Sequence, residues 1–193
     1  MKSDFTCDLL IIGGGISGCV FASKYLQSNP RKKVALIEVG RRLGGRSSTR
    51  ISKRFKGWEL NHGAPNLNIC SRKNQLIQSY INELLENKFI KIDDSELISL
   101  GEETKSETIK TSPFYCGNNY LSSFSMSELS QNIIDSNNFR GEIDFFFETL
   151  IVDLKFHNNE WILTSKNGDK FKCKYIICST NLLLHKRSLE ILN

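Results

Sequence analysis

The sequence predicts an α/β fold built on a parallel sheet. Three observations in its 193 residues carry that prediction: an apolar run at 7–12 that ends in glycines, a second such run at 33–38 that ends in an acid, and a strand-rich stretch from 142 to 179.

The first run is almost continuously apolar, which suits a strand buried on both faces of a parallel sheet rather than one exposed on alternate positions. Gly13, Gly15 and Gly18 follow with the spacing G-x-G-x-x-G. The first glycine allows a tight turn, the second a close backbone approach by a pyrophosphate, and the third close packing of helix on strand. From Ile16 to about Ser28, apolar Ile16, Val20, Phe21 and Leu26 alternate with small Cys19, Ala22 and Ser23, as expected of a helix lying close on a sheet. Its first residues, Ile16 and Ser17, present unpaired backbone amides. Together with a helix dipole contributing about 0.3–2 kcal/mol, they favour an anion there.

The second strand ends at Glu38, 20 positions after Gly18. At that spacing a carboxylate accepts hydrogen bonds from ribose hydroxyls and repels a 2′-phosphate, with Val39 beside it in the cofactor-binding set. A G-x-G-x-x-G alone arises often by chance. Its position between an apolar strand and a helix, with the acid correctly spaced, points to a Rossmann-like dinucleotide-binding domain.

The next segment reads Gly40, Arg41, Arg42, Leu43, Gly44, Gly45, Arg46, Ser47, Ser48, Thr49. It resembles the G-x-R-x-G-G-R-x-x-T pattern of FAD-dependent amine oxidases and their renalase-like and phytoene-desaturase-type relatives. The resemblance implies FAD as cofactor, with Arg42 near the adenosine ribose, and with the Gly44 and Gly45 backbone and the Arg46 guanidinium toward the pyrophosphate and flavin end. Paired glycines expose amides, and an arginine fork matches phosphate oxygens bidentately. The alternative is a solvated basic loop over 41–54. GWELNHGAPN continues the resemblance as a short strand and a turn beneath the isoalloxazine ring, which makes Gly63 and Ala64 the implied backbone contacts. The relatives need no histidine there for hydride transfer, so His62 reads as a loop histidine, and Pro65 departs from the family pattern.

The fold class implied is an α/β, Rossmann-like FAD/NAD(P)-binding domain with a parallel sheet, a β-meander and a small inserted helical and strand segment. In the middle of the chain, Leu76, Ile77, Tyr80, Ile81, Leu84 and Leu85 recur at helical intervals and predict an amphipathic helix over 74–88 whose stripe is core. Residues 89–113 predict a short strand pair and a loop. Ser125 and Glu128 fit a capping box at a helix start. Then IDFFFETLIVDLKF, EWILTSK, DKFKC and YIICS, separated by Asn158-Asn159 and Asn167-Gly168, predict a meander returning to the parallel sheet, with Asn-Gly as a two-residue hairpin signal. By resemblance, the backbone of Ile151 or its neighbour Val152 pairs with the adenine edge, while Asp153 reads as a surface carboxylate. After the last strand come Ser179, Thr180 and Asn181, without the proline usual in relatives. The domain expectation is one FAD-binding domain over 1–193, with 65–140 a partial insertion toward a substrate domain. The C-terminal half of the family, with its Gly-Asp motif, is absent.

A net charge of +5 is modest, and the basic residues come with no recognised nucleic-acid motif or stacking array, so no nucleic-acid partner is expected. No apolar span reaches 18 residues and no signal peptide is evident, so neither a transmembrane helix nor a membrane partner is expected. The six cysteines lack C-x-x-C spacing and read as reduced thiols of a cytoplasmic protein, and the three scattered histidines suggest no metal site. Two functions follow. One is an FAD-dependent oxidoreductase acting on a small-molecule substrate, completed by a homodimer or a complementing chain. The other is a non-catalytic dinucleotide-binding module or one half of a split flavoenzyme. No catalytic residue is assigned.

Overall fold

Alternation between short apolar runs and glycine- or asparagine-rich turns gives a strand-dominated chain with few helices. The computed structural model describes residues 4–70, 74–94, 98–100, 106–108, 117–136, 139 and 142–180. The elements run β1 (Asp4–Ile12), α1 (Ile16–Ser28), β2 (Val34–Ile37), β3 (Thr49–Ile51), β4 (Glu59–Asn61), β5 (Leu67–Ile69), α2 (Gln75–Glu86), β6 (Ile90–Ile92), β7 (Ile98–Leu100), β8 (Ser106–Thr108), β9 (Asn118–Ser122), α3 (Leu129–Asp135), β10 (Ile143–Phe146), β11 (Ile151–His157), β12 (Glu160–Ser165) and β13 (Lys170–Cys178). They divide into two units: Met1–Ser48 with Ser127–Asn193, and Thr49–Met126.

The first unit is built on a sheet ordered β10-β2-β1-β13-β12-β11. Its first four strands are mutually parallel and its last two antiparallel. The apolar runs explain the placement of the inner strands. Leu9, Leu10 and Ile11 of β1 and all four residues of β2 are buried, so both faces of these strands are covered. Helix α1 lies on β1, β2 and α3, burying Gly18, Cys19, Ala22, Ser23 and Leu26. A separate cluster joins Leu10, Ala35 and Ile37 to Ile151, Leu163, Phe171 and Cys173, with Phe5, Phe146 and Leu154 packed against it. The meander therefore curls back over the parallel strands. Phe146 meets the edges of Phe5 and Phe171 at 4.8 and 4.9 Å between centroids; Phe171 is fully buried, a burial that contributes about 1.5–3 kcal/mol, and the other two rings are partly buried.

Two expectations for this unit change. IDFFFETLIVDLKF is not one meander strand: it breaks at 147–150, where Glu148 takes φ +51°. Its halves become β10, parallel to β2 at one edge, and β11 at the other edge. DKFKC and YIICS fuse into β13, which pairs with β1 over nearly its whole length. The two-residue hairpin sits at Asn158-Asn159, with φ +50° and +65°, the geometry of a type I′ turn. Asn167-Gly168 instead belongs to a three-residue loop between Ser165 and Asp169, with Gly168 at φ +88°. Cys7 and Cys173 face each other in register on β1 and β13, both buried.

In the second unit, β3 and β4 form an antiparallel hairpin, β5-β9-β6 a three-stranded sheet, and β7-β8 a separate pair. The pair fits the strand pairing expected within 89–113. Helix α2 starts where Asn74 Oδ1 accepts from the amides of Leu76 and Ile77 at 3.1 and 3.3 Å, an N-cap typically contributing about 1 kcal/mol. Its apolar stripe is core only toward the C-terminal end: Ile81 and Leu84 are buried, whereas Leu76 is 83% exposed. The capping box at Ser125 does not start the next helix either. In the first unit α3 begins at Leu129, and Glu128 stands at the N-cap in helical geometry without a side-chain cap bond.

Leu84→Ala should therefore cost about 2–5 kcal/mol in urea unfolding, and Leu76→Ala no more than about 0.5 kcal/mol. Equal losses would place Leu76 in the core. A second prediction concerns acid. Asp8 accepts from the Lys33 amide and from Lys32 Nζ, each at 3.0 Å, and these bonds hold its carboxyl below the ordinary value. A depressed carboxyl stabilises the fold above its unfolded pKa of about 3.9, and that contribution disappears as pH falls through the folded value. Asp8→Asn should flatten the fall of thermal stability with pH below about 4; an unchanged acid limb would remove Asp8 from that linkage.

Candidate dinucleotide-binding site

The sequence places its glycines, acid and arginines far apart along the chain, and in the first unit β1 and β2 bring most of them to one end of the sheet. β1 delivers Gly13 to a turn that closes when the Gly13 amide donates to Ile37 O at 2.8 Å. Gly13 has φ +110°, where an L side chain is strained. Gly18 is required for a different reason: a Cβ there would collide with the Gly13 carbonyl. Ser179, just past β13, completes the lock. Its amide donates to Ile12 O at 2.9 Å and its hydroxyl to Gly13 O at 2.8 Å, with Ile12 O the alternative acceptor at 3.1 Å.

Gly15 differs from both. Its φ is −74°, which any residue adopts, and an added Cβ would meet nothing within 4 Å. Nothing in the chain itself calls for glycine at this position. It stands at the N-cap of α1, where Ile16, Ser17 and Gly18 have amides without intrahelical acceptors and the first turn holds no acidic side chain. Across from it lie Gly44 and Gly45: Gly15 and Gly44 form an isolated parallel bridge, the Gly44 amide donates to Gly14 O at 2.8 Å, and Gly45, exposed at φ +53°, faces the Gly15 Cα. Two glycine turns thus make a shallow backbone cradle with open space above it.

Glu38 is buried beside this cradle. Oε2 accepts from the Gly14 amide at 2.7 Å and Oε1 from the Gly40 amide at 2.6 Å. Each oxygen keeps a second lone pair for a hydroxyl donor. The sequence gives no role to Gly14, and Gly40 enters there only as the first position of the G-x-R-x-G-G-R pattern. A Cβ on Gly14, the middle glycine of the run, would meet the Leu43 side chain and approach Glu38 Oε2 at 3.2 Å, so a larger residue there would need these side chains to shift. Ser179 was also missed, because only the parallel pairing of β13 with β1 brings it to Gly13.

Val39, Arg42 and Arg46 are exposed, and neither Arg42 nor Arg46 has an ion-pair partner among the described residues. Arg41 instead reaches Glu148 at 3.3 Å on the surface. Thr149 donates its amide to Glu38 O at 3.1 Å, carrying the chain toward β11. There Ile151 pairs with Ser165 and turns its side chain into the core. The register then skips Val152, leaving its backbone outside the ladder. Asp153 forms a surface pair with Lys155 at 3.0 Å. Gly63 and Ala64 lie in the second unit after β4, Gly63 exposed and Ala64 half-buried. Burial pushes the Cys19 thiol up to about 12, so it stays protonated at neutral pH. Among the described residues no group of three or more His, Cys, Asp or Glu is placed to hold a metal ion.

Residues 11–84 match the NAD(P)-binding Rossmann-like domain family. No curated protein sequence matches the chain. Among solved structures, wild-type putrescine oxidase bound to putrescine superposes with a TM-score of 0.65 at 12% identity, covering 95% of this chain and 60% of its own. A putative protoporphyrinogen oxidase from Exiguobacterium sp. 255-15 gives 0.65 at 14% identity, over 100% of this chain and 62% of its own. The chain thus spans about 60% of the length of these structures. With its parallel-dominated sheet, glycine turn and buried acid after β2, the chain has the fold of these oxidase structures over about 60% of their length, and its segment 11–84 is similar to NAD(P)-binding Rossmann-like domains.

Proposed function

We propose that this chain binds FAD and serves an FAD-dependent oxidoreductase of the amine-oxidase or renalase-like type. The observation that carries the reading is Gly15, a glycine that the fold does not require, facing open space at a helix N-terminus. In this assignment the amides of Ile16, Ser17 and Gly45 and the exposed Arg46 guanidinium bind the pyrophosphate. Glu38 accepts from the ribose hydroxyls, Arg42 lies along the adenosine, and the free backbone of Val152, next to Ile151, meets the adenine edge. Gly63 and Ala64 are kept for the isoalloxazine on the resemblance alone.

When bound, FAD supplies the acceptance of a hydride from a substrate C–H bond and the return of electrons to oxygen or another acceptor. The chain's own part is to hold the adenosine half rigidly. The carboxylate is already oriented by two backbone amides, so little conformational entropy remains to be lost when ribose binds. A second reading, a non-catalytic dinucleotide module or one half of a split flavoenzyme, is supported by the family match, which covers the dinucleotide-binding segment 11–84. A cytoplasmic setting and a small-molecule substrate remain part of the proposal.

The test is titration of the intact chain with FAD, read by flavin fluorescence, with NADH as competitor. Saturable binding at micromolar FAD that NADH displaces poorly supports the reading, and absence of binding at that concentration overturns it. Two variants separate ligand from fold. Gly15→Val should cost no more than about 1 kcal/mol in urea unfolding, the penalty of an apolar N-cap, while weakening FAD binding tenfold or more. Gly18→Ala should lose about 1–3 kcal/mol of stability even without FAD, because its methyl group meets the Gly13 carbonyl. If Gly15→Val binds FAD normally, the cradle is not the site.

A further inference from the structure

Hairpin β3–β4 carries a feature that dinucleotide binding does not use. Its strands pair Thr49 with Asn61, Arg50 with Leu60 and Ile51 with Glu59, and the connecting loop is ordered by its own backbone. The Ser52 amide donates to Trp58 O at 2.9 Å, the Trp58 amide to Phe55 O at 3.2 Å, and Ser52 Oγ accepts from the amides of Arg54 and Phe55. This folding sets Phe55 and Trp58 side by side, ring centroids 5.7 Å apart, with the Arg54 guanidinium 5.4 Å from the Phe55 ring. Yet the pair is not buried: Phe55 is 54% and Trp58 71% exposed, and down the strands Ile51 and Leu60, on opposite faces of the hairpin, are exposed as well.

The charge around these side chains is one-sided. Arg50, Lys53, Arg54 and Lys56 are all exposed, and Glu59 is the only carboxylate between 50 and 60. An apolar tip destined for a protein core would not be interleaved with these cations, since each would be desolvated without a partner. A bilayer interface suits both halves of the pattern. Aromatic rings sit at headgroup depth, long basic side chains reach back to the phosphates, and an anionic leaflet attracts the cations.

We propose that the tip of this hairpin docks the protein on an anionic lipid surface, with Phe55 and Trp58 entering the interface and Lys53, Arg54, Lys56 and Arg50 paired to lipid headgroups. This departs from the expectation of no membrane partner, and it concerns a peripheral contact: no helix among the described residues is long and apolar enough to cross a membrane. It stands independently of the FAD reading.

The experiment uses the intact chain with Trp161→Phe, which leaves Trp58 as the sole tryptophan of the two in the sequence. It is mixed with vesicles of phosphatidylcholine alone or of phosphatidylcholine with phosphatidylserine. Co-sedimentation and a blue shift of Trp58 emission with the anionic vesicles only, both weakened by salt, support the proposal. Neutralising Lys53, Arg54 and Lys56 to Gln should then lower the partition coefficient roughly fivefold per cation removed. Phe55→Ser, read by co-sedimentation, should lower it further with unchanged circular dichroism. No binding, equal binding to both vesicles, or quenching of Trp58 by a single-stranded oligonucleotide but not by vesicles would overturn it.

Discussion

The carboxylate of Glu38 is the constraint on which the candidate site depends. It is a buried charged group whose two oxygens take backbone amides from opposite directions: Gly14 in the turn after β1 and Gly40 in the turn after β2. Hydrogen bonds to an ionised acceptor contribute about 1.5–3 kcal/mol each, and a buried carboxylate without them would be strongly destabilising. The geometry of one turn is thereby tied to that of the other. Gly44 bonding to Gly14 and the Gly15–Gly44 bridge close the third side. This end of the sheet is held together because a single side chain connects its two loops.

That arrangement gives the glycines three separate physical roles. Gly13 is required by backbone conformation and Gly18 by the Gly13 carbonyl, which leaves no room for a methyl group, while Gly14 is crowded only by the side chains of Leu43, Glu38 and Leu36. Gly15 is required by neither. A position that the fold leaves unconstrained, within a turn that is otherwise fully determined, is where a ligand's demand on the sequence can be separated from the protein's own. Ser179 shows the reverse case, a residue outside the motif that holds the motif in place through Gly13 O.

The departures from the sequence reading share one cause, which is that local pattern does not state what lies across the chain. IDFFFETLIVDLKF is apolar throughout, but its halves satisfy different edges of one sheet, and the break at Glu148 has no glycine or proline to announce it. Asn167-Gly168 has the stronger hairpin signature, yet the register of Thr164 with Lys170 leaves room for a three-residue loop, and the two-residue turn forms at Asn158-Asn159. Leu76 has the helical spacing of Leu84 but lies at the end of α2 that is not buried. Ser125 and Glu128 have the capping-box spacing, but the chain does not become helical until Leu129. Ile151, expected beside the adenine edge, is held by the ladder and the core, and the register skips its neighbour Val152.

By itself the sequence determined the parallel α/β class, the apolar strand at 7–12 with the glycine turn and helix that follow it, and the places of Gly13, Gly18 and Glu38 at the ends of these elements, because these depend on contacts within some forty residues and on stereochemistry that only glycine or a carboxylate satisfies. Tertiary structure decided the rest. The pairing of β13 with β1 brings Ser179 to the glycine turn, the curl of the meander covers Ile37 with Ile151 and Leu163, and the second amide on Glu38 comes from a loop beyond β2. These are contacts between residues distant in sequence, and such contacts form only when the whole sheet sets the register, which no local periodicity encodes.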